Sequence, residues 1–214
     1  MTDRIDAERH RMVESQLRAR GLLDERVLQA FEQVPRHLFV PEEIRYAAYD
    51  DMPLPIGHDQ TISQPYIVAL MISLLALQGD ERVLEVGTGS GYEAALLGRL
   101  AAEVHTIELV PALGQQADLL LQDLGYTNIH VHIGDGSLGW PDAAPYAGIV
   151  AAAAAPHVPA PLMEQLSDGG RLVLPVADGY EQYLKVVVRT GKDYSERVVT
   201  AVAFVPMRGR HGWS

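Results

Sequence analysis

Cysteine is absent from this chain of 214 residues. That excludes a disulfide framework, a thiolate nucleophile and a zinc site built on thiolates. No run of 18 apolar residues occurs, so no membrane-spanning helix is expected. The opening residues Met1-Thr2-Asp3-Arg4-Ile5-Asp6 are polar and do not read as a signal peptide. These absences predict a cytoplasmic protein without a membrane partner. Basic residues are few: 17 Lys and Arg stand against 28 Asp and Glu, a net charge of −11. Affinity for nucleic acid rests on clustered cations at phosphates, so no nucleic-acid partner is expected. No G-x-S-x-G elbow occurs, which disfavours a serine hydrolase.

The composition is otherwise that of a globular domain, with 48% hydrophobic and 21% charged residues. The length suits one domain over 1–214 and a core of normal size; a monomer is the favoured state. Residues 1–60 read as an N-terminal helical extension. Met12, Val13 and Leu17 share a helical face there, and Asp24 is placed to cap a second helix carrying Val27, Leu28 and Phe31. Pro35, Pro41, Pro53 and Pro55 interrupt regular structure, so 50–57 reads as loop. Pro65 suits the first turn of a helix reaching Leu77.

The core, 61–175, then alternates. Strands are expected over 82–86, 103–107, 129–133, 148–153 and 171–175, with helices over 92–100, 111–124 and 159–166. That rhythm predicts an α/β, doubly wound and mainly parallel sheet with right-handed crossovers. Residues 176–214 are β-rich, with runs over 183–189 and 197–205 joined at Gly191-Lys192-Asp193 as an antiparallel hairpin. The alanine run from Ala151 to Ala155 reads as a buried strand end where a ligand or helix packs closely.

The most informative stretch is Glu85-Val86-Gly87-Thr88-Gly89-Ser90-Gly91-Tyr92, between a strand and a helix. Alternate glycines permit positive φ and let a ligand approach the backbone. A dinucleotide fingerprint would read G-x-G-x-x-G. Here the spacing is G-x-G-x-G, with a carboxylate two residues before the first glycine. That acid would repel a pyrophosphate but suits a cationic amino group. The octet resembles motif I of S-adenosylmethionine (SAM) methyltransferases. Two further acids fall at expected strand ends: Glu108, suited to ribose hydroxyls, and Asp135 in Gly134-Asp135-Gly136, suited to an adenine amino group.

Beyond that octet, the chain resembles the protein-L-isoaspartate (D-aspartate) O-methyltransferase family from about Met12 to the C-terminus. The resemblance rests on Val34-Pro35-Arg36-His37-Leu38-Phe39-Val40-Pro41, Leu54-Pro55-Ile56-Gly57, Gln60-Thr61-Ile62-Ser63-Gln64-Pro65, Gly134-Asp135-Gly136, Gly169-Gly170-Arg171-Leu172-Val173 and Phe204-Val205-Pro206. The Thr-Ile-Ser-Gln-Pro segment is the most specific of these. The resemblance implies a seven-stranded, Rossmann-like SAM fold with its helical extension over the cofactor. It implies methyl transfer from SAM, leaving S-adenosylhomocysteine, to the free carboxylate of L-isoaspartyl and D-aspartyl sites in damaged proteins. By position, Ser63 matches the family's active-site serine. Gln60, Thr61, Ile62, Ser63, Glu85, Gly87, Thr88, Gly89, Glu108, Asp135 and Gly136 match the cofactor site. Leu54, Pro55, Ile56, Gly57, Val205 and Pro206 match the walls of the peptide groove, and His58 is placed to contact substrate.

Two positions depart from the family pattern: Asp59 stands where glycine is usual, and Ala147 where aspartate is usual. Asp59 would bring a carboxylate to the groove and bear on peptide choice. Two alternatives stay open at this point, a carboxyl methyltransferase for a dedicated peptide or small acid and a SAM-binding module without catalysis. Ser63 has a competing reading as a helix cap before Pro65. His130 and His132 alternate on one strand face, but no third ligand is expected nearby and no metal is expected. Trp140 and Trp213 are read as packing residues.

Overall fold

The computed structural model describes residues 2–213. Helix α1 (Thr2–Met12) runs on through a wide turn over Val13–Leu17 and a tight one over Arg18–Arg20, and stops at Gly21, whose φ of +90° ends it. Helix α2 (Glu25–Gln33) begins where Asp24 accepts from the amides of Arg26 and Val27. This satisfies two of the amides that every helix start leaves free. Its buried face is Val27, Leu28, Ala30 and Phe31.

Residues 54–57, the end of the expected loop, form a strand instead. Strands β1 (Leu54–Gly57) and β2 (Gln60–Ile62) pair antiparallel, with His58 and Asp59 between them at φ +53° and +58°. Two consecutive left-handed residues make the tight hairpin turn whose twist matches the strands. Pro55 is tolerated because a two-stranded ribbon has no interior strand. Helix α3 (Pro65–Leu75) follows, two residues shorter than expected, closed by left-handed Ala76.

The main sheet has seven strands: β3 (Arg82–Val86), β4 (Glu103–Glu108), β5 (Ile129–Ile133), β6 (Tyr146–Ala151), β7 (Leu166–Asp178), β8 (Glu181–Thr190) and β9 (Asp193–Val202). Their order is β5-β4-β3-β6-β7-β8-β9. The first five pair in parallel, and β7, β8 and β9 form antiparallel hairpins. Helices α4 (Tyr92–Leu97), α5 (Pro111–Asp123) and α6 (Ala160–Glu164) make the crossovers. The doubly wound expectation holds, and boundaries moved where bulges intervene. Strand β7 starts at Leu166 rather than 171, because the pairing jumps between Tyr146 and Gly148. Ala147 sits in that irregularity, so the departure there affects strand entry. Strand β9 ends at Val202, freeing 203–206 from the sheet.

The strand order reverses between parallel neighbours β3 and β6: β4 and β5 follow on one side, β7 on the other. Ligands in open α/β sheets bind beyond the carboxyl ends of such strands. Between β3 and α4 lies the glycine octet.

Candidate active site

The octet turns on Gly87, Gly89 and Gly91, whose φ values are +98°, +53° and +85°. The amides of Gly87 and Thr88 donate to the Ile107 carbonyl at 2.8 and 3.3 Å, and the Gly89 amide donates to Glu108 Oε2 at 2.8 Å. A methyl group on Gly89 would lie 3.3 Å from Ile56 Cδ1. The loop is thus drawn toward β4, and a cleft of about 720 Å³ opens in front of it. Gln60, Thr61, Gly87, Gly89, Glu108 and Gly136 border this cleft, as do Ala152, Ala153, Val205 and Pro206. Apolar Val86, Ile107 and Leu109 supply the flat wall.

A smaller chamber adjoins it, bordered by Thr61, Ile62, Ser63, Glu85, Thr88, Tyr92 and Glu93. Glu85 is fully buried; its Oε2 accepts from the Thr106 hydroxyl at 2.5 Å and its Oε1 has no partner. Thr106 is held in turn by the Thr88 hydroxyl at 2.6 Å. Glu93 is 7% exposed and its Oε1 is also unpartnered. Burial, and then the neighbouring Glu93, hold the Glu85 carboxyl well above the usual carboxylate range. Burial pushes Glu93 up to about 8. Two buried carboxyl groups with free oxygens at one chamber wall are a receptor for a cation or for donor hydrogens.

The segment carrying Ser63 is fixed from behind. Arg36 is fully buried, donating from Nε to the Ala48 carbonyl and from Nη2 to the Ser63 carbonyl, each at 2.8 Å. Its guanidinium lies 4.8 Å from the centre of the Tyr92 ring. Asp51 accepts from the Tyr66 amide at 3.0 Å and from the Gln64 side chain at 2.8 Å. Asp51 therefore caps α3 from a distance. Gln64 occupies the cap position and makes no side-chain cap bond. The reading of Ser63 as the helix cap is corrected, and its hydroxyl is left available. Ser63 borders both the chamber and a second hollow of about 730 Å³ on the other side, with Pro53, Gln64, Ile67, Ala203, Phe204 and Val205.

Other expected site residues fall differently. Asp135 is outside the walls of all these spaces: Oδ1 accepts from the Ser137 amide and hydroxyl, and Oδ2 accepts from the Arg210 amide at 2.7 Å. It shapes the Gly136–Ser137 backbone that does border the cleft. A side chain at Gly136 would strike Val86 at 2.6 Å. Leu54 is buried in the core, and Pro55, Gly57 and His58 are exposed on the hairpin away from these walls. Ile56 borders a shallower hollow beside Gly89 and Ser90. Val205 and Pro206 do reach the cleft, because the Ala154 amide donates to the Val205 carbonyl at 2.8 Å and Pro206 bridges to Ala154. Asp59 is exposed at the hairpin tip and borders none of the cavities.

Sequence reasoning passed over Glu93 and Arg36 as site residues, whereas Ala152, in the alanine run read as a place for close packing, borders the cleft and the chamber. One signal was available for Glu93, a lone acid in an otherwise apolar helix. The expectation of no third ligand-type side chain near His130 and His132 is overturned. Strand register sets His105 opposite His130, and His105 Nδ1 lies 2.9 Å from His132 Nε2.

Comparison with known proteins agrees with this geometry. The family model described as protein-L-isoaspartate(D-aspartate) O-methyltransferase matches residues 7–212. A Marinobacter nauticus protein-L-isoaspartate O-methyltransferase 2 is 53% identical over 207 residues, covering 96% of this chain and 94% of its own. The Syntrophus aciditrophicus protein-L-isoaspartate O-methyltransferase is 50% identical over 217 residues and is covered in full, as is this chain. A solved protein-L-isoaspartate O-methyltransferase superposes with a TM-score of 0.86 at 27% identity, covering 95% of this chain and 67% of that one. A Plasmodium falciparum structure described as this enzyme with S-adenosyl-L-homocysteine shares the fold, with a TM-score of 0.80 at 23% identity over 94% of this chain and 98% of that one. With a family match over nearly its whole length and relatives half identical or more, the chain belongs to the protein-L-isoaspartate(D-aspartate) O-methyltransferase family.

Proposed function

We propose that this chain methylates the free carboxylate of L-isoaspartyl and D-aspartyl residues in damaged proteins, using SAM. The observation that carries the reading is the position of Ser63 between two spaces. On one side lies a chamber with two orphaned carboxyl oxygens, and on the other a hollow leading outward.

The residues present suit SAM. Glu85 and Glu93 would offer unpartnered oxygens to its ammonium group, Glu108 would hold the ribose, and Val86, Ile107 and Leu109 would wall the adenine. Bound there, SAM supplies a methyl group on a positively charged sulfur. The acceptor carboxylate is already ionised at neutral pH, since such groups titrate near 4. No general base is therefore needed. Transfer would join one carboxylate oxygen to that methyl and break its bond to sulfur, with the electron pair leaving on the demethylated product. The chain's part is alignment, which supplies roughly 7–11 kcal/mol when reacting groups are held in line. Ser63 donates a hydrogen bond to the second carboxylate oxygen. Arg36, through the Ser63 carbonyl, holds that hydroxyl in place.

An isoaspartyl site differs from an aspartyl one in the path of its backbone, so discrimination falls to backbone contacts along the 203–206 wall. The resulting methyl ester closes to a succinimide without further catalysis, and hydrolysis returns part of it to aspartate. We place this activity in the cytoplasm, in a monomer acting on peptides and proteins rather than nucleic acid. The supports are the absence of cysteine, a net charge of −11, and no membrane-length apolar helix among the described residues. The test is methyl-ester formation on an isoaspartyl peptide beside its aspartyl twin. Esterification of the isoaspartyl form alone supports the reading. Turnover of small acids only, or SAM binding without turnover, would replace it.

A further inference from the structure

We propose that Glu103, His105 and His130 form a binding site for a divalent transition-metal ion of the zinc type, apart from the cofactor cleft. Glu103 and His105 lie on β4, and His130 lies opposite His105 on β5, the edge strand of the sheet. None of the three borders the cleft or the chamber.

Glu103 Oε1 stands 3.1 Å from His105 Nε2 and 3.8 Å from His130 Nε2, and all three atoms lie within 4.8 Å of one another. Ligands at about 2.0–2.2 Å from a tetrahedral zinc ion are roughly 3.4 Å apart. The cluster is within a few tenths of an ångström of that spacing for the pairs that include Glu103. The remaining adjustment falls on His130, whose side chain is 48% exposed. At 3.8 Å His130 Nε2 is beyond hydrogen-bond range of Glu103 but within the span that a shared ion would bridge.

The groups behind the ligands are arranged as metal sites arrange them. Glu103 Oε2 is held by Arg82 Nε at 2.5 Å, which leaves Oε1 for an ion. His105 Nδ1 lies 2.9 Å from His132 Nε2, with the ring planes 5° from parallel. His132 is fixed by Trp140, stacked at 3.9 Å between centroids. When His105 Nε2 holds a metal, its Nδ1–H donates to His132, which sets both tautomer and ring orientation. Two imidazoles and one carboxylate suit zinc, nickel or copper rather than magnesium or calcium. Three protein ligands leave one position for water. An ion there clamps the edge strand to β4, so its effect is on stability and not on the methyl-transfer step.

The probe is Zn²⁺ added to the full chain after dialysis against a chelator. Calorimetry is expected to give one ion per chain, with a rise in melting temperature. His130→Ala is expected to weaken binding at least 10-fold. His132→Phe keeps the stacking on Trp140 but removes the hydrogen bond, and is expected to cost about 10–100-fold. His157→Ala, at an exposed histidine outside the cluster, is expected to leave affinity unchanged. Co²⁺ should broaden amide resonances around 103–105 and 130–132 before any others. No saturable Zn²⁺ binding, or affinity unchanged in a folded His130→Ala, overturns the proposal. If His130→Ala does not fold, His130→Gln together with the Co²⁺ broadening map decides it.

Discussion

Glu85 and Glu93 place two carboxyl groups behind the glycine loop, and burial keeps both from ionising readily. A carboxyl group whose folded pKa lies above its unfolded value supports stability below the unfolded pKa and loses that contribution as pH rises to the folded one. For Glu93 the window runs from about 4.5 to about 8. Glu93→Gln removes the ionisation and keeps the shape. It is expected to melt with the parent at pH 5 and above it at pH 8. A gain on the order of 1–2 kcal/mol corresponds to a rise of about 2–8 °C in a chain of this size. The same variant is expected to bind SAM more weakly, because a cation in the chamber is matched by ionising the pair. Calorimetry in buffers of different ionisation enthalpy should show protons released on SAM binding by the parent and fewer by Glu93→Gln. Equal proton release in the two would remove Glu93 from the site. Ser63 is a second case where structure sharpens an expectation. Because Asp51 caps α3, Ser63→Ala is expected to keep the parent's melting temperature and SAM affinity. Loss of a hydrogen bond made in the transition state is worth about 2.7–4 kcal/mol, or roughly 100- to 1000-fold in turnover. Steady-state kinetics on an isoaspartyl peptide checks it, and parent-like turnover would leave Ser63 without a catalytic role.

At the scale of elements, the β1–β2 hairpin explains the Asp59 departure better than substrate choice does. Glycine adopts positive φ freely, whereas a residue with a Cβ in the left-handed region is strained by roughly 1–2 kcal/mol, with Asn and Asp the best tolerated. Asp59 at φ +58° is such a residue, exposed and bordering none of the cavities. Asp59→Gly is therefore expected to raise stability by about 0.5–1 kcal/mol, read as a shift in the urea midpoint with unchanged slope. It is expected to leave the preference between Lys-flanked and Glu-flanked isoaspartyl peptides where it was. A changed preference at low salt would return Asp59 to the groove. The hairpin itself was hidden from sequence by Pro53 before it and Pro55 within it, which read as breakers although a ribbon with two edges accepts proline. By contrast the Asp24 cap and the Pro65 helix start were legible, because capping chemistry is local and the side chain acts within three residues of its own position.

Across the whole molecule, legibility followed the range of the interaction. The alternation of strands and helices, and the acids at the ends of β3 and β4, followed from periodicity and spacing. What escaped was set by register or by packing between distant segments. His105 meets His130 only because β4 and β5 align as they do, and Arg36 reaches the Ser63 carbonyl across 27 residues. The same long-range packing decides how the N-terminal extension behaves. Met12, Val13, Leu17, Val27 and Phe31 belong to one continuous buried cluster with Val68, Met71, Tyr92, Leu97, Val173 and Leu184. Phe31 and Phe39 both meet the Tyr92 ring edge-on, and Arg26 donates to the carbonyls of Leu77 and Leu100. An extension that shares its core with the sheet has no core of its own to melt separately. The chain is therefore expected to unfold in a single transition, with equal calorimetric and van't Hoff enthalpies and coincident near- and far-ultraviolet dichroism. S-adenosylhomocysteine at 100 times its dissociation constant adds about 2.7 kcal/mol. That should move the whole transition up by roughly 5–11 °C at 2–4 °C per kcal/mol. Two transitions, with the ligand moving only one, would show that residues 1–60 fold as a unit apart from the cofactor core.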